Sequence, residues 1–182
     1  EGLRVAVLVT DHFEQVELTS PREALKQEGA TVSIVAPHAG KVQGMNHDEK
    51  GDQFEVDATL EEADPKQFDA VVLPGGVMNA DFLRVEEDAQ RFLAAVDEAG
   101  KPIAVICHGP WLLVSADRVN GRKLTSFHTL QDDIRNAGGE WVDEEVVTDG
   151  NWISSRKPDD LPAFNREMIS CFEAHVPTPT EA

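Results

Sequence analysis

The chain has 182 residues, 41% of them hydrophobic, which is enough for one domain with a sizeable core. Acidic residues outnumber basic ones by 34 to 16, and the formal net charge of −18 argues against nucleic acid as a partner, because phosphate binding needs a basic surface. No apolar run approaches the roughly 20 residues of a membrane span, so no membrane partner is expected. We predict a single domain over residues 1–182, with a poorly ordered tail at 176–182.

Cysteine usage points to a reducing compartment. Cys107 and Cys171 form neither a disulfide framework nor a metal-ligand spacing, and the first residues lack the basic and apolar segments of a secretory signal. We therefore expect a cytoplasmic protein without a bound metal.

The first half of the chain alternates apolar runs with a helical pattern. Residues 3–9 form an apolar run typical of a strand covered on both faces, a helical segment follows from Pro21 to Gly29, and a second strand is predicted at 31–36. Residues 37–60 are polar and glycine-punctuated, which favours a hairpin excursion or a loop insertion. A third core strand covers 68–73.

The second half continues the alternation. An amphipathic helix lies within 84–100, a strand precedes Cys107, a short helix surrounds 130–137, a strand pair covers 145–155, and a terminal helix covers about 158–175. This order predicts a mostly parallel sheet between two layers of helices, with ligands bound at the carboxyl ends of its strands.

The most informative stretch is AVICHGP at residues 104–110. It places Cys107 between a buried strand and a helix that Pro110 opens, which is the position of a nucleophile elbow. The positive end of the helix favours a thiolate there. For a cysteine considered alone, the alternative is an inert core position, but His108 and Gly109 beside it favour chemistry.

Two further strand ends are expected beside Cys107. Gly75 and Gly76 follow the third strand and can offer backbone N–H groups as an oxyanion hole, or form only a turn. Glu14 follows the first strand and is predicted to point toward the thiol, with Glu17 as the competing candidate. An ionised carboxylate there raises the pKa of the thiol, whereas a protonated one donates a hydrogen bond to a thiolate.

Five segments together carry a resemblance to a known family. They are FEQVEL at 13–18, FDAVVLPGG at 68–76, AVICHGP at 104–110, GRKLTSF at 121–127 and the long run over 132–164. The chain resembles the PfpI family of intracellular cysteine peptidase-like proteins, within the ThiJ/PfpI superfamily. The resemblance implies a flavodoxin-like α/β three-layer sandwich, no cofactor, and a homodimer or homohexamer.

The same resemblance assigns roles to residues of this chain. It implies that Cys107 is the nucleophile, His108 its adjacent histidine and Glu14 the acid after the first strand. Some members complete a triad across a subunit contact with an acid that follows the Gly-Gly turn. The segment after Gly76 is one residue longer here, and the nearest acid is Asp81.

Three functions are compatible with these residues. The main hypothesis is a cysteine hydrolase of the peptidase-like type, with oxyanion stabilisation from backbone N–H groups at Gly76 and His108. The first alternative, also implied by the family, is a cofactor-independent glyoxalase or deglycase that acts on methylglyoxal and glycation adducts. The second alternative is a redox-sensing stress protein in which Cys107 is oxidised to a sulfinic acid. The predicted substrate is accordingly a small aldehyde or a peptide.

Overall fold

Strands and helices alternate along the chain in the computed structural model, which describes residues 2–175. The strands are β1 (Arg4–Leu8), β2 (Phe13–Glu14), β3 (Thr31–Ala36), β4 (Lys41–Asn46), β5 (Glu49–Glu55), β6 (Ala58–Thr59), β7 (Ala70–Leu73), β8 (Ile103–Ile106), β9 (Lys123–Leu124), β10 (Glu140–Trp141), β11 (Val146–Asp149) and β12 (Trp152–Ser155). The helices are α1 (Val16–Gln27), α2 (Val77–Leu83), α3 (Glu87–Glu98), α4 (Pro110–Ser115), α5 (Gln131–Asn136) and α6 (Leu161–His175). The tail predicted at 176–182 lies outside the described residues.

A seven-stranded sheet in the order β11-β12-β8-β7-β1-β3-β6 forms the centre of the fold. Its neighbours are parallel except for the antiparallel pair β11 and β12. One apolar core lies between the sheet and helices α1 and α6, and a second lies between the sheet and helices α2 to α5. The predicted flavodoxin-like α/β sandwich is confirmed. No helix among residues 2–175 is both long enough and apolar enough to cross a membrane.

The predicted start of the first helix at Pro21 is wrong. Proline favours the first helical turn because its missing N–H is not needed there, yet α1 begins at Val16 and runs through Pro21. The buried stripe of Leu18, Pro21 and Leu25 holds the helix by packing. The earlier start places Glu17 in the first turn, on the buried side of the helix.

The polar stretch at 37–60 is a hairpin, as expected. Strands β4 and β5 pair antiparallel, and β2 joins β4 to give a separate three-stranded sheet. This small sheet carries Glu14 and the turn at His47 to the carboxyl edge of the central sheet, where both line a cavity.

A cluster of charged and polar side chains stabilises the edge of the central sheet opposite the one that carries the cavity. Asp97, near the end of α3, accepts hydrogen bonds from the side chains of Asn151 at 3.0 Å, Trp152 at 2.8 Å and Arg118 at 2.9 Å. Burial alone would raise the pKa of Asp97, but these hydrogen bonds outweigh it and hold the pKa below its usual value. The charge on Asp97 therefore stabilises the fold.

We predict that Asp97→Asn lowers the free energy of unfolding by about 2–3 kcal/mol at neutral pH, because it removes the charge to which buried donors bond. A carboxyl with a lowered folded-state pKa contributes stability above its unfolded pKa and loses it as the pH falls. In urea titrations, the difference in the free energy of unfolding between Asp97→Asn and wild type should therefore become smaller below about pH 4. Asp88→Asn, which removes an exposed ion pair with Arg91, serves as the control and should cost less than about 1 kcal/mol. Equal losses in both variants would contradict the role given to Asp97.

Candidate active site

A cavity of about 480 Å³ opens at the carboxyl ends of the central parallel strands. Cys107 lies in it, and polar side chains from the loop after β1, from α1 and from the β4–β5 turn share its lining. Apolar wall is supplied by Met45, Val77, Met78 and Phe127. A concave site with apolar walls and a few polar groups suits a small organic ligand.

Cys107 lies at the turn between β8 and α4 in a left-handed conformation, with φ of 62°. Its N–H donates to the carbonyl of Ser155 at 3.1 Å, and its own carbonyl accepts from the N–H of Phe127 at 2.9 Å. A non-glycine residue held in this region of backbone space is strained and is typical of functional turns. The predicted nucleophile elbow is confirmed.

Gly75 and Gly109 are required by close packing around the elbow. A Cβ on Gly75 would lie 2.6 Å from Cys107 Cβ, and a Cβ on Gly109 would lie 2.8 Å from backbone oxygen. Their N–H groups are already used, since Gly75 donates to Glu17 Oε1 at 2.9 Å and Gly109 donates to the carbonyl of Ile106 at 3.0 Å. The two glycines predicted as backbone donors therefore serve the elbow as spacers.

The N–H groups that remain near the sulfur belong to Gly76 and His108. Both lie close enough to the Cys107 side chain to lower the pKa of the thiol. They are the two donors predicted for an oxyanion hole, and they lie where a negative charge on sulfur or on an attached oxygen would develop.

Glu17 is the buried carboxyl group beside Cys107. Its residue is fully buried, and Oε1 accepts the Gly75 N–H while Oε2 is buried without a hydrogen-bond partner among residues 2–175. Burial, assisted by the charge of Glu14, raises the pKa of Glu17 to about 8. Glu17 is therefore protonated at neutral pH, and its proton can lie on the unpaired Oε2.

The protonation state of Glu17 affects the pKa of the Cys107 thiol. Burial raises the pKa of Cys107, and a charge on Glu17 raises it further. A neutral Glu17 removes that charge and can donate a hydrogen bond to the sulfur once the sulfur is ionised. The pKa of the thiol stays raised even with the N–H groups of Gly76 and His108 beside it, so Cys107 rests as a thiol and ionises when it reacts.

Glu14, the acid predicted to point toward the thiol, lies at the cavity rim. Its two carboxylate oxygens accept the N–H of His47 at 3.2 and 3.3 Å, and its side chain is 15% exposed. Between the two candidates that the sequence offered, the structure brings Glu17 to the sulfur. Glu14 contributes a charge that raises the pKa of both Glu17 and Cys107.

His108 is neutral and bonded to the sulfur. Its Nδ1 lies 3.2 Å from Cys107 Sγ, and its ring stacks on Phe127 and meets the edge of Trp111. Burial, with a smaller contribution from His128, lowers the pKa of His108 to about 4. Within residues 2–175 no carboxylate bonds to this ring, so no acid orients it as a triad requires.

Asp81 lies apart from the other predicted site residues. It is exposed on α2 and does not line the cavity of its own chain. The resemblance implied that this acid reaches the site of a neighbouring subunit, and that role stays a prediction.

Four polar residues that line the cavity, His12, His47, Lys157 and Asp159, are not among the site residues predicted from the sequence. His12 and Lys157 lie on loops and follow no motif, so only the fold brings them to the cavity. Among the described residues, no three His, Cys, Asp or Glu side chains are close enough together to hold a metal ion.

Residues 3–171 match the DJ-1/PfpI family. A deglycase of Thermococcus kodakarensis is 45% identical over 92% of this chain and 98% of its own length. The protein/nucleic acid deglycase 2 of Escherichia coli is 44% identical over 91% of this chain and 95% of its own. A Bacillus subtilis protein with a provisional cysteine-protease name is 40% identical over 92% and 96% of the two chains.

Solved structures show the same fold. A two-domain protein of Anabaena variabilis with DJ-1/ThiJ/PfpI-like and ferritin-like domains superposes with a TM-score of 0.88 and 34% identity, over 98% of this chain and 51% of that one. DJ-1beta of Drosophila melanogaster gives a TM-score of 0.84 and 25% identity, over 97% and 91% of the two chains.

The chain therefore belongs to the DJ-1/PfpI family, and the predicted resemblance is confirmed. The names of the relatives support an enzyme of the hydrolase or deglycase kind. They favour the deglycase alternative over the peptidase-like main hypothesis.

We predict that substitutions of Glu17 and Glu14 change the rate of Cys107 alkylation in opposite directions. Glu17→Leu removes a neutral donor from the sulfur and should slow the reaction with iodoacetamide at neutral pH by about tenfold. Glu17→Gln keeps an amide donor and should stay close to wild type. Glu14→Gln should speed the reaction slightly, because it removes a charge that raises the pKa of Cys107. Faster alkylation in Glu17→Leu would mean that Glu17 is ionised beside a thiol, and would contradict the assignment.

Proposed function

We propose that the chain is a cysteine-dependent deglycase that also converts methylglyoxal to lactate. The observation that carries the proposal is a cysteine in an elbow, beside a buried neutral carboxyl and two N–H groups, at an open cavity with apolar walls. This arrangement suits addition of sulfur to a small carbonyl compound. The deglycase names of relatives that match nearly the whole chain support it.

The first step is attack by the Cys107 thiolate on the aldehyde carbon. A C–S bond forms, the carbonyl electrons move to oxygen, and the N–H groups of Gly76 and His108 lie near the developing charge. Protonation of that oxygen gives a hemithioacetal. With a glycated amine the same attack breaks the C–N bond at the carbinol carbon, and the amine leaves with a proton.

The second step moves a proton between the two carbons. His108 is neutral and adjacent to the sulfur, so an imidazole nitrogen can take the proton from the carbon bonded to sulfur and return it to the next carbon. The product is a lactoyl thioester, and water hydrolyses it to lactate and regenerates Cys107. Methylglyoxal and one water are consumed for each lactate formed.

Peptide hydrolysis is a weaker fit to the cavity. Amide cleavage needs an imidazole that protonates a poor leaving group, and an acid normally orients that imidazole. His108 has aromatic neighbours and no carboxylate partner within the described chain. A triad would need Asp81 from a second copy.

We further propose that α2 forms a contact between copies of this chain. Four apolar side chains on and after this helix, Val77, Met78, Phe82 and Val85, are 52%, 48%, 53% and 71% exposed. They surround Asp81, and the first two also line the cavity. An exposed apolar patch of this kind marks an interaction surface, and its continuity with the cavity favours a dimer or a larger assembly built around the site.

The proposed setting is the cytoplasm. Both cysteines are free and buried, and a reducing compartment keeps the Cys107 thiol available. Small carbonyl compounds and glycated amines are the proposed partners, and the charge of −18 favours substrates without phosphate chains.

We predict that Cys107→Ser lowers lactate formation from methylglyoxal, and amine release from a methylglyoxal-treated N-acetylarginine, by about 10³-fold or more. Cys171→Ser is the matched control, since Cys171 lies in α6 and does not line the cavity. Full turnover in Cys107→Ser would refute the proposal. Turnover of a fluorogenic peptide alone would favour the hydrolase hypothesis, and peroxide-driven oxidation of Cys107 without any turnover would favour the redox sensor.

We predict that the wild type sediments as a dimer or larger species and that Phe82→Glu sediments as the 19.9 kDa monomer, because a charge in the apolar patch opposes its burial. Asp81→Ala should keep the assembly. If Asp81 completes a neighbouring site, this variant loses turnover while it remains assembled. A monomeric wild type, or an unchanged Phe82→Glu, would contradict the proposed contact.

A further inference from the structure

His12 stands on the loop that crosses the Gly75–Gly76 turn, on the wall of the cavity. Its N–H donates to the carbonyl of Gln43 at 2.8 Å. A Cβ on Gly76 would lie 2.7 Å from the carbonyl oxygen of His12. The loop therefore packs tightly against the turn whose Gly76 N–H lies near the Cys107 sulfur. The position of His12 beside the reacting centre is therefore fixed from two sides.

The backbone at His12 is left-handed, with φ of 69°. Four non-glycine residues among the described ones share this conformation, and three of them, His12, His47 and Cys107, line this one cavity. Glycine adopts such a conformation without strain, whereas a histidine there is strained. Strain of this kind concentrates where a side chain has a function.

The side chain of His12 is left without a partner by its own chain. Its Nδ1 is buried and has no hydrogen-bond partner among the described residues. Its Nε2 makes no hydrogen bond to those residues either, and it is not among their buried unpaired atoms. With no acceptor beside Nδ1, the tautomer that carries its proton on Nε2 leaves no buried N–H unpaired, and Nε2 is the nitrogen that remains accessible.

The other proton carriers near the sulfur have protein partners. His108 bonds to the sulfur, Glu17 accepts the Gly75 N–H, and Glu14 accepts the His47 N–H. The imidazole of His12 is thus a proton donor on the cavity wall with no internal bond to break before it meets a substrate.

We propose that His12 is a catalytic residue that moves the proton between the two oxygens of the substrate, an inference that rests on the proposed function. As the proton leaves the carbon bonded to sulfur, His12 Nε2–H donates its proton to the oxygen of the neighbouring carbonyl, and an enediol forms. The hydroxyl proton on the sulfur-bound carbon then returns to His12 Nε2 as the thioester carbonyl forms. The imidazole ends as it began, and His108 completes the carbon-to-carbon transfer. Neutral imidazole acts in this way in other proton-transfer enzymes.

The test compares His12→Gly and His12→Asn with wild type. Glycine suits the left-handed backbone, and asparagine tolerates it and keeps a hydrogen-bonding amide without proton transfer. Both variants should form lactate from methylglyoxal about 10²- to 10³-fold more slowly. Both should keep the wild-type rate of Cys107 alkylation, and the intact mass should show the methylglyoxal adduct accumulating on the protein. Added imidazole should restore turnover to His12→Gly, which has lost the ring.

Asp117→Gly is the matched control for the relief of strain in a left-handed backbone. Asp117 is left-handed with φ of 57°, is exposed and lies outside the cavity, so its variant should keep full turnover. Turnover within twofold of wild type in His12→Gly would overturn the role of His12 and leave the proposed function intact. Wild-type protein without turnover of methylglyoxal or its adducts would overturn both.

Discussion

The placement of the buried carboxyl of Glu17 beside Cys107 is the constraint on which the site depends. A carboxyl at this position avoids the cost of a buried charge by keeping its proton, and burial raises its pKa to about 8. This placement also explains Gly75, because any side chain there would occupy the space between the acid and the cysteine. The stability that depends on Glu17 is fully present below its ordinary pKa of 4.5 and is lost as the pH rises to about 8, above which the charge on Glu17 also opposes a thiolate.

The position of Cys107 could be predicted because it follows from local rules. A short apolar run, a cysteine and then Pro110 predict a strand, a sharp turn and a helix, and the structure has them in that order. The parallel sheet follows equally from the alternation of strands and helices. Local sequence is sufficient in both cases because the backbone geometry decides the outcome.

The acid beside the cysteine was harder to identify because its position depends on where α1 begins. The sequence left Glu14 and Glu17 as alternatives one turn apart near the start of the first helix, and either could face the thiol. The buried positions of α1 are Glu17, Leu18, Pro21 and Leu25, whose spacing places the acid on the apolar side of the helix. An acidic residue in a core stripe is a signal of a buried carboxyl, and it would have favoured Glu17.

The sequence predicted the N–H groups of Gly76 and His108 as donors, but it did not determine which other groups of the cavity are free. From the sequence, Gly109 could serve either as an N–H donor or as a small residue that allows close packing. Only the structure shows that its N–H already donates to a backbone carbonyl and that the elbow leaves no room for a Cβ. His12 and Lys157 come together at one cavity from the two ends of the chain, through long-range contacts that no local pattern encodes. The direction of the Asp81 side chain away from its own cavity likewise follows from the placement of α2 on the surface.

The central claim is that the buried carboxyl of Glu17 beside Cys107 carries a proton at neutral pH. A neutron structure of the deuterated protein at neutral pH tests this directly. The account predicts a deuteron on the Glu17 carboxyl. A bare Glu17 carboxylate beside the Cys107 thiol would contradict it.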